Sequence, residues 1–255
     1  MSRKRRLALL VCGGLAGLCA VLLALLFAAA RHVPSFYAQA VQLDAAAQAD
    51  ESHEFLVATT ALASNAHRAG RWQALITAAQ INGWLAVDRV ENHPDLFAPE
   101  ILEPRVAIEP GLAKLAFRFQ DGNFNTVVSL ELEVFLPEPN VVALRIHSAR
   151  AGAIPIPLGD LLEKVTASAT EAGVHLRWLE TDGDPTAWIT LPAADDPEDL
   201  SLRLDTLQLR DSAVFLSGET TSPDAVPSDL DLSAVLRSAH LGGADQSAGS
   251  STHQR

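Results

Sequence analysis

The 255 residues are 48% hydrophobic and only 5% aromatic, with 19 basic against 31 acidic side chains and a formal net charge of −12. Four of the bases and none of the acids fall in the first 30 residues, which leaves 15 against 31, or −16, on the rest. A field of that sign repels nucleic acid and argues against anionic headgroups as electrostatically bound partners.

Arg3, Lys4, Arg5 and Arg6 precede an uninterrupted apolar run over residues 7–30. At the helical rise this run reaches about 36 Å, enough for a hydrocarbon core of about 30 Å with some tilt. The positive-inside rule places the basic tip, residues 1–6, in the cytoplasm and the remainder outside it. A cleavable signal peptide competes with this reading, because Ala28-Ala29-Ala30 and Ala38-Gln39-Ala40 fit the small-x-small cleavage pattern. An ordinary signal core spans about 7–15 residues, so the longer run favours a retained anchor. Cys12 and Cys19 both lie inside the run. The exported part therefore has no internal disulfide, thiol nucleophile or thiolate metal site.

Residues 31–70 are Ala-rich and mostly polar, with a narrow apolar stripe through Phe55, Leu56, Leu62 and Ala63. The spacing predicts a helical stalk that docks on the domain at its far end. Residues 71–218 are expected to form one α+β domain. It begins with a short extended piece from Trp72 to Ile76, and Thr77 and Gln80 form a capping box for a helix ending near Asp88. A Pro-rich connection with Pro94, Pro99 and Pro104 follows.

Between Arg105 and Ser148 the strands can be paired by pattern. Val106 and Ile108 alternate with polar neighbours, and Pro110-Gly111 makes a turn. If Gly122-Asn123 is a two-residue hairpin turn, Leu115 faces Leu130, Phe117 faces Val128 and Lys114 faces Glu131. A loop at Pro137-Glu138-Pro139-Asn140 then sets Glu133 opposite Arg145 and Glu131 opposite His147. Alternating cross-strand charges mark a solvated sheet face, so the two glutamates read as surface pairing rather than a catalytic dyad. After Pro155-Ile156-Pro157 a helix carries Leu158, Leu161, Leu162, Val165 and Ala172 and stops at Gly173. Four strands follow: 174–179, 187–191, 200–209 and 213–217. Residues 219–255 read as a disordered tail.

No nucleophile elbow, phosphate loop or dinucleotide fingerprint occurs. His53-Glu54 lacks the second histidine of a zinc-protease helix, because position 57 is Val, and Asp182-Gly183-Asp184 lacks the turn glycine and distal glutamate of a calcium loop. The expectation is a protein that is not an enzyme, with no catalytic residues, no metal site and no cofactor.

The run LITAAQINGWLA at residues 75–86, the β-meander after it and AIPIPLGDLL at residues 153–162 resemble small membrane-anchored extracytoplasmic bacterial proteins of the YpmS and YceB type. The YceB group is similar to the tubular lipid-binding (TULIP) superfamily. The resemblance covers residues 70–220. It implies a curved antiparallel sheet wrapped on one or two helices, with a groove that accepts an acyl chain or another apolar ligand. The Pro-rich insertion between Asn92 and Pro104 and the strong acidity depart from that pattern. Two functions are therefore expected. In the first, the domain binds a lipid or apolar ligand on the face of Leu115, Phe117, Phe119, Leu130, Leu132, Leu144 and Ile146. In the second, it is a non-enzymatic envelope scaffold or assembly factor that meets a protein partner. Neither involves nucleic acid.

Overall fold

A computed structural model describes residues 18, 20–122, 124–171, 174–191 and 201–221. The basic tip, the first part of the apolar run with Cys12 and Cys19, the helix stop at Gly173 and the tail beyond Thr221 lie outside the described residues.

The chain is α+β, with a large antiparallel sheet, a smaller second sheet and a few helices. Helix α1 (Ala20–Ala30) is apolar on every side, and Val21, Leu22, Leu23, Leu25, Leu26 and Phe27 are all exposed. Among the described residues no single helix is long and apolar enough to cross a membrane. Helices α1 and α2 (Ser35–Val41) pass that test only as a pair bent by 47°.

The last turn of α1 is fastened to the large sheet. The Ala29 carbonyl accepts from the Ala153 backbone N–H at 2.7 Å, and the Ala30 carbonyl accepts from the Thr126 hydroxyl at 2.7 Å. These bonds satisfy two of the carbonyls that any helix end leaves without partners. Gly152 makes room for the contact: it has φ of +63°, and a Cβ there would lie 2.4 Å from the Ala29 oxygen and 2.6 Å from that of Ala30. Gly152→Ala is accordingly expected to loosen the junction and speed tryptic cleavage after Arg31 several-fold, with the rest of the domain still folded. Equal cleavage rates in the two proteins would contradict the seating.

Beyond the junction, α2 buries Tyr37 against Ala116 and Val127, with Phe36 and Val41 alongside. Helix α3 (Ala45–Ala66) lies against α4 (Ala78–Ala86). Their backbones meet at Gly83, where a Cβ would sit 2.6 Å from the Ser52 nitrogen. Phe55 packs on Trp84 with ring centroids 5.5 Å apart, and at the far end the Ala66 carbonyl accepts from the Thr220 hydroxyl at 2.8 Å. The expected stalk thus docks along its length rather than at one end, because Gly83 and the small residues around it let the helices approach.

The capping box is present: the Thr77 oxygen accepts from the Gln80 N–H at 3.1 Å, and Gln80 Oε1 accepts from the Thr77 N–H at 2.9 Å. The helix stops at Ala86, where Val87 leaves the helical path, and a five-residue helix α5 (Asp88–Asn92) follows. Trp84 Nε1 donates to Asp88 at 2.8 Å across that break.

The large sheet has the order β2 (Ile101–Glu109), β3 (Leu112–Asp121), β4 (Phe124–Glu138), β5 (Val141–Ala151), β8 (Asp184–Thr190), β7 (Leu176–Thr181), with the two-residue β6 (Ile154–Pro155) on β5. Helix α6 (Gly159–Glu171) enters after Pro157, and its Thr166 hydroxyl accepts from Trp178 Nε1 at 2.8 Å. The second sheet pairs β1 (Gly70–Thr77) with β10 (Ala213–Thr221), and β10 with β9 (Ser201–Arg210). Strand β10 runs past Ser217, so residues 219–221 belong to the sheet and not to a tail.

The expected register holds across β3 and β4, where Leu115 pairs with Leu130, Phe117 with Val128 and Lys114 with Glu131. Glu133 pairs with Arg145, but Glu131 pairs with Ser148 and not with His147. A β-bulge next to Glu131 accounts for the difference, because an extra residue in β5 shifts every later pair by one.

Two asparagines tie the layers together. Asn82 of α4 donates to the Val106 carbonyl at 2.8 Å and accepts from the Val106 N–H at 2.7 Å, closing the exposed edge of β2. Asn140, in the β4–β5 turn with φ of +62°, accepts from the Leu204 N–H at 2.6 Å and donates to the Leu202 carbonyl at 2.8 Å.

Candidate functional site

Leu115, Phe117, Phe119, Leu130, Leu132, Leu144 and Ile146 share one face of the large sheet, as their pairing and alternation require. Phe117 at 9% exposure, Leu130 and Ile146 are buried, and the other four are half-buried. Their neighbours on the same face, Ala113 and Val134, pack with Ile108 against Ala78 and Ile81 of α4 and against Leu209 and Val214 of the second sheet. Two surface depressions, of about 620 and 590 Å³, lie elsewhere. The first is framed by Glu138, Val141, His175, Arg177 and Trp188. The second lies at Arg71, Trp72, Phe215 and Gly218. None of the seven apolar residues lines either one.

The opposite face carries an ionic network around β5. Arg145 lies 3.2 Å from both Glu133 and Asp182. His147 places Nδ1 2.8 Å from Asp184 and Nε2 3.4 Å from Glu133, and Ser148 donates to Glu131 at 3.0 Å. Both glutamates are thus engaged by cross-strand neighbours, and the Asp182-Gly183-Asp184 turn adds two carboxylates to the same network. Among the described residues no group of three or more His, Cys, Asp or Glu side chains is placed to hold a metal ion.

A second cluster, which the sequence pattern does not show, lies under α2. In β2 a bulge between Leu102 and Arg105 puts Glu103 at φ of +50° and turns Arg105 onto the face opposite the apolar seven. There Arg105 pairs with Ala116, and Leu102 pairs with Arg118. Arg105 (5% exposed) and Arg89 of α5 (9% exposed) are buried side chains, and Arg89 sits over the Phe97 ring at 5.5 Å. Arg118, 39% exposed, lies 3.4 Å from Glu103 and forms the open end of the cluster.

Three guanidinium groups therefore meet one nearby carboxylate. Burial first, and then the charge of Glu103, pushes the Tyr37 phenol above its usual pKa, while the charges of Arg105 and Arg118 pull against that shift. Burial also lowers the Arg105 guanidinium from its ordinary value, with Tyr37 and Glu103 opposing the shift and Arg89 adding to it. Among the described residues the Tyr37 hydroxyl, Arg89 Nε and Arg118 Nε are buried without a hydrogen bond of good geometry, although the Arg118 backbone lies close enough to the phenol to favour its ionised form slightly. Sequence alternation places Arg105 and Arg118 at solvent-facing strand positions. Arg105 is nonetheless buried on that face, beside Tyr37 of α2, while Arg118 stays partly exposed.

Comparison with protein-family models, with curated proteins and with solved structures finds no match for this chain.

Proposed function

We propose that the chain is a single-pass membrane protein with its N-terminus in the cytoplasm and an α+β domain seated on the outer face of the membrane. We further propose that the domain is not an enzyme and acts as an envelope scaffold or assembly factor through protein contacts. The carrying observation is α1: a helix apolar on every side, with its side chains exposed rather than packed in the domain, needs an apolar solvent around it. Arg31 lies 4.2 Å over the Phe27 ring at the end of that helix, as expected of a basic residue at the hydrocarbon boundary. The burial of Phe117, Leu130 and Ile146 on the apolar face favours the scaffold over an enclosed ligand.

A lipid-binding role, in keeping with the resemblance to the YpmS, YceB and TULIP type, is the second reading. What favours it is that Leu115, Phe119, Leu132 and Leu144 are only half-buried on that face. N-terminal sequencing of the mature protein from membranes tests the anchor: a chain beginning at the basic tip supports it, and one beginning at Arg31 or Val41 contradicts it. Native mass spectrometry of the detergent-extracted protein separates the two roles. A stoichiometric lipid lost in Phe117→Ala would establish the second reading.

A further inference from the structure

We propose that the cluster of Tyr37, Arg89, Arg105 and Arg118 beneath α2 is a binding site for a phosphate-type oxyanion, presented to lipid headgroups. The placement at headgroups rests on the membrane seating argued above, whereas the oxyanion site itself does not.

Buried guanidinium groups are retained in proteins when something of opposite sign compensates them. Here Glu103 approaches Arg118, and Arg105 donates only to the carbonyl of the neighbouring Pro104, at 2.8 Å. Of the two acids of α5, Asp88 is engaged by Trp84 and Asn92, and Glu91 is exposed. A positive surplus is left around two buried arginines. The unpartnered atoms there, Arg89 Nε, Arg118 Nε and the Tyr37 hydroxyl, are all N–H or O–H groups. The two guanidinium nitrogens can only donate and the phenol can donate its O–H, which suits a ligand rich in acceptors, and planar guanidinium groups match the oxygens of a phosphate.

Position supplies the second argument. Arg118 pairs with Val127, the residue after Thr126, whose hydroxyl holds the last carbonyl of α1. One strand spacing and one residue step, about 5 and about 3 Å, separate the two backbones. The polar headgroup layer extends about 5–7 Å beyond the hydrocarbon core on each side. With Ala30 at the hydrocarbon boundary, the half-exposed Arg118 stands at headgroup level with the two buried arginines behind it. The net charge of −16 is a sum over the whole exported part and does not describe this cluster, where three arginines gather beside Glu103.

The test uses the full chain in dodecyl maltoside, a neutral detergent without phosphate, and measures thermal unfolding with either inorganic phosphate or dihexanoyl phosphatidylglycerol added. Both probes are expected to raise the midpoint by a few degrees at saturation. That rise should vanish in Arg118→Gln and persist in Arg203→Gln, which alters an exposed arginine elsewhere. Tyr37→Phe, which removes one hydroxyl without changing shape, should weaken the rise and covers the case in which Arg118→Gln does not fold. A rise with phosphate alone overturns the headgroup source and leaves a soluble oxyanion. A rise with neither probe, or one unchanged in both variants, overturns the site. Loss of the anchor on N-terminal sequencing, with the phosphate response intact, would remove the membrane seating and not the site.

Discussion

Phe117→Ala is expected to lower the unfolding free energy by about 3–5 kcal/mol, the usual range for deleting a buried aromatic ring. The ring is 9% exposed and lies opposite Val128 in the middle of the large sheet. Such a loss is a large share of the roughly 5–15 kcal/mol by which a domain is stable. Denaturant unfolding of parent and variant, with the slope checked for constancy, gives the number. A loss below about 1 kcal/mol would mean that the ring faces a ligand space and not a packed interior, which would favour the lipid-binding role.

The second large effect is expected at Asn82. Strand β2 is the last strand of its sheet, so the Val106 N–H and C=O that point outward have no strand to meet; Asn82, itself buried, satisfies both. Asn82→Ala leaves two backbone groups unpaired, at about 1–3 kcal/mol for each that stays dry, and the expected total is about 2–4 kcal/mol. Faster amide exchange at Val106 than at its neighbours in β3 should accompany the loss, because the released edge frays first. A loss under about 0.5 kcal/mol with unchanged exchange would show that water replaces the side chain without penalty.

How far the fold was legible follows from which contacts are local. The β3–β4 register could be derived because both faces alternate on both strands and a glycine turn fixes the phase. The Thr77 and Gln80 cap could be derived because its partners are three residues apart. The bulges at Glu103 and beside Glu131 could not, since a bulge adds one residue without disturbing composition, and the second moved His147 from Glu131 to Glu133 and Asp184. The pairing of β1 with β10 joins positions far apart in the chain and leaves no local trace. For the same reason the seven apolar residues were recognisable as one face, but the packing of their neighbours Ala113 and Val134 against α4, β9 and β10 was not. The arginine cluster lay furthest from view. Each arginine occupies an ordinary polar position in its own element, and the cluster forms only where α2, α5, β2 and β3 come together in space.

The central claim is that the domain sits on the bilayer, with α1 inside it. Nitroxide labels at Leu23 and Gln39, placed one at a time in reconstituted protein with Cys12 and Cys19 replaced by alanine, test this through relative accessibility to oxygen and to a water-soluble nickel complex. The account predicts hydrocarbon-like accessibility at Leu23 and headgroup-like accessibility at Gln39, on the exposed side of α2. Water-like accessibility at Leu23 would contradict it.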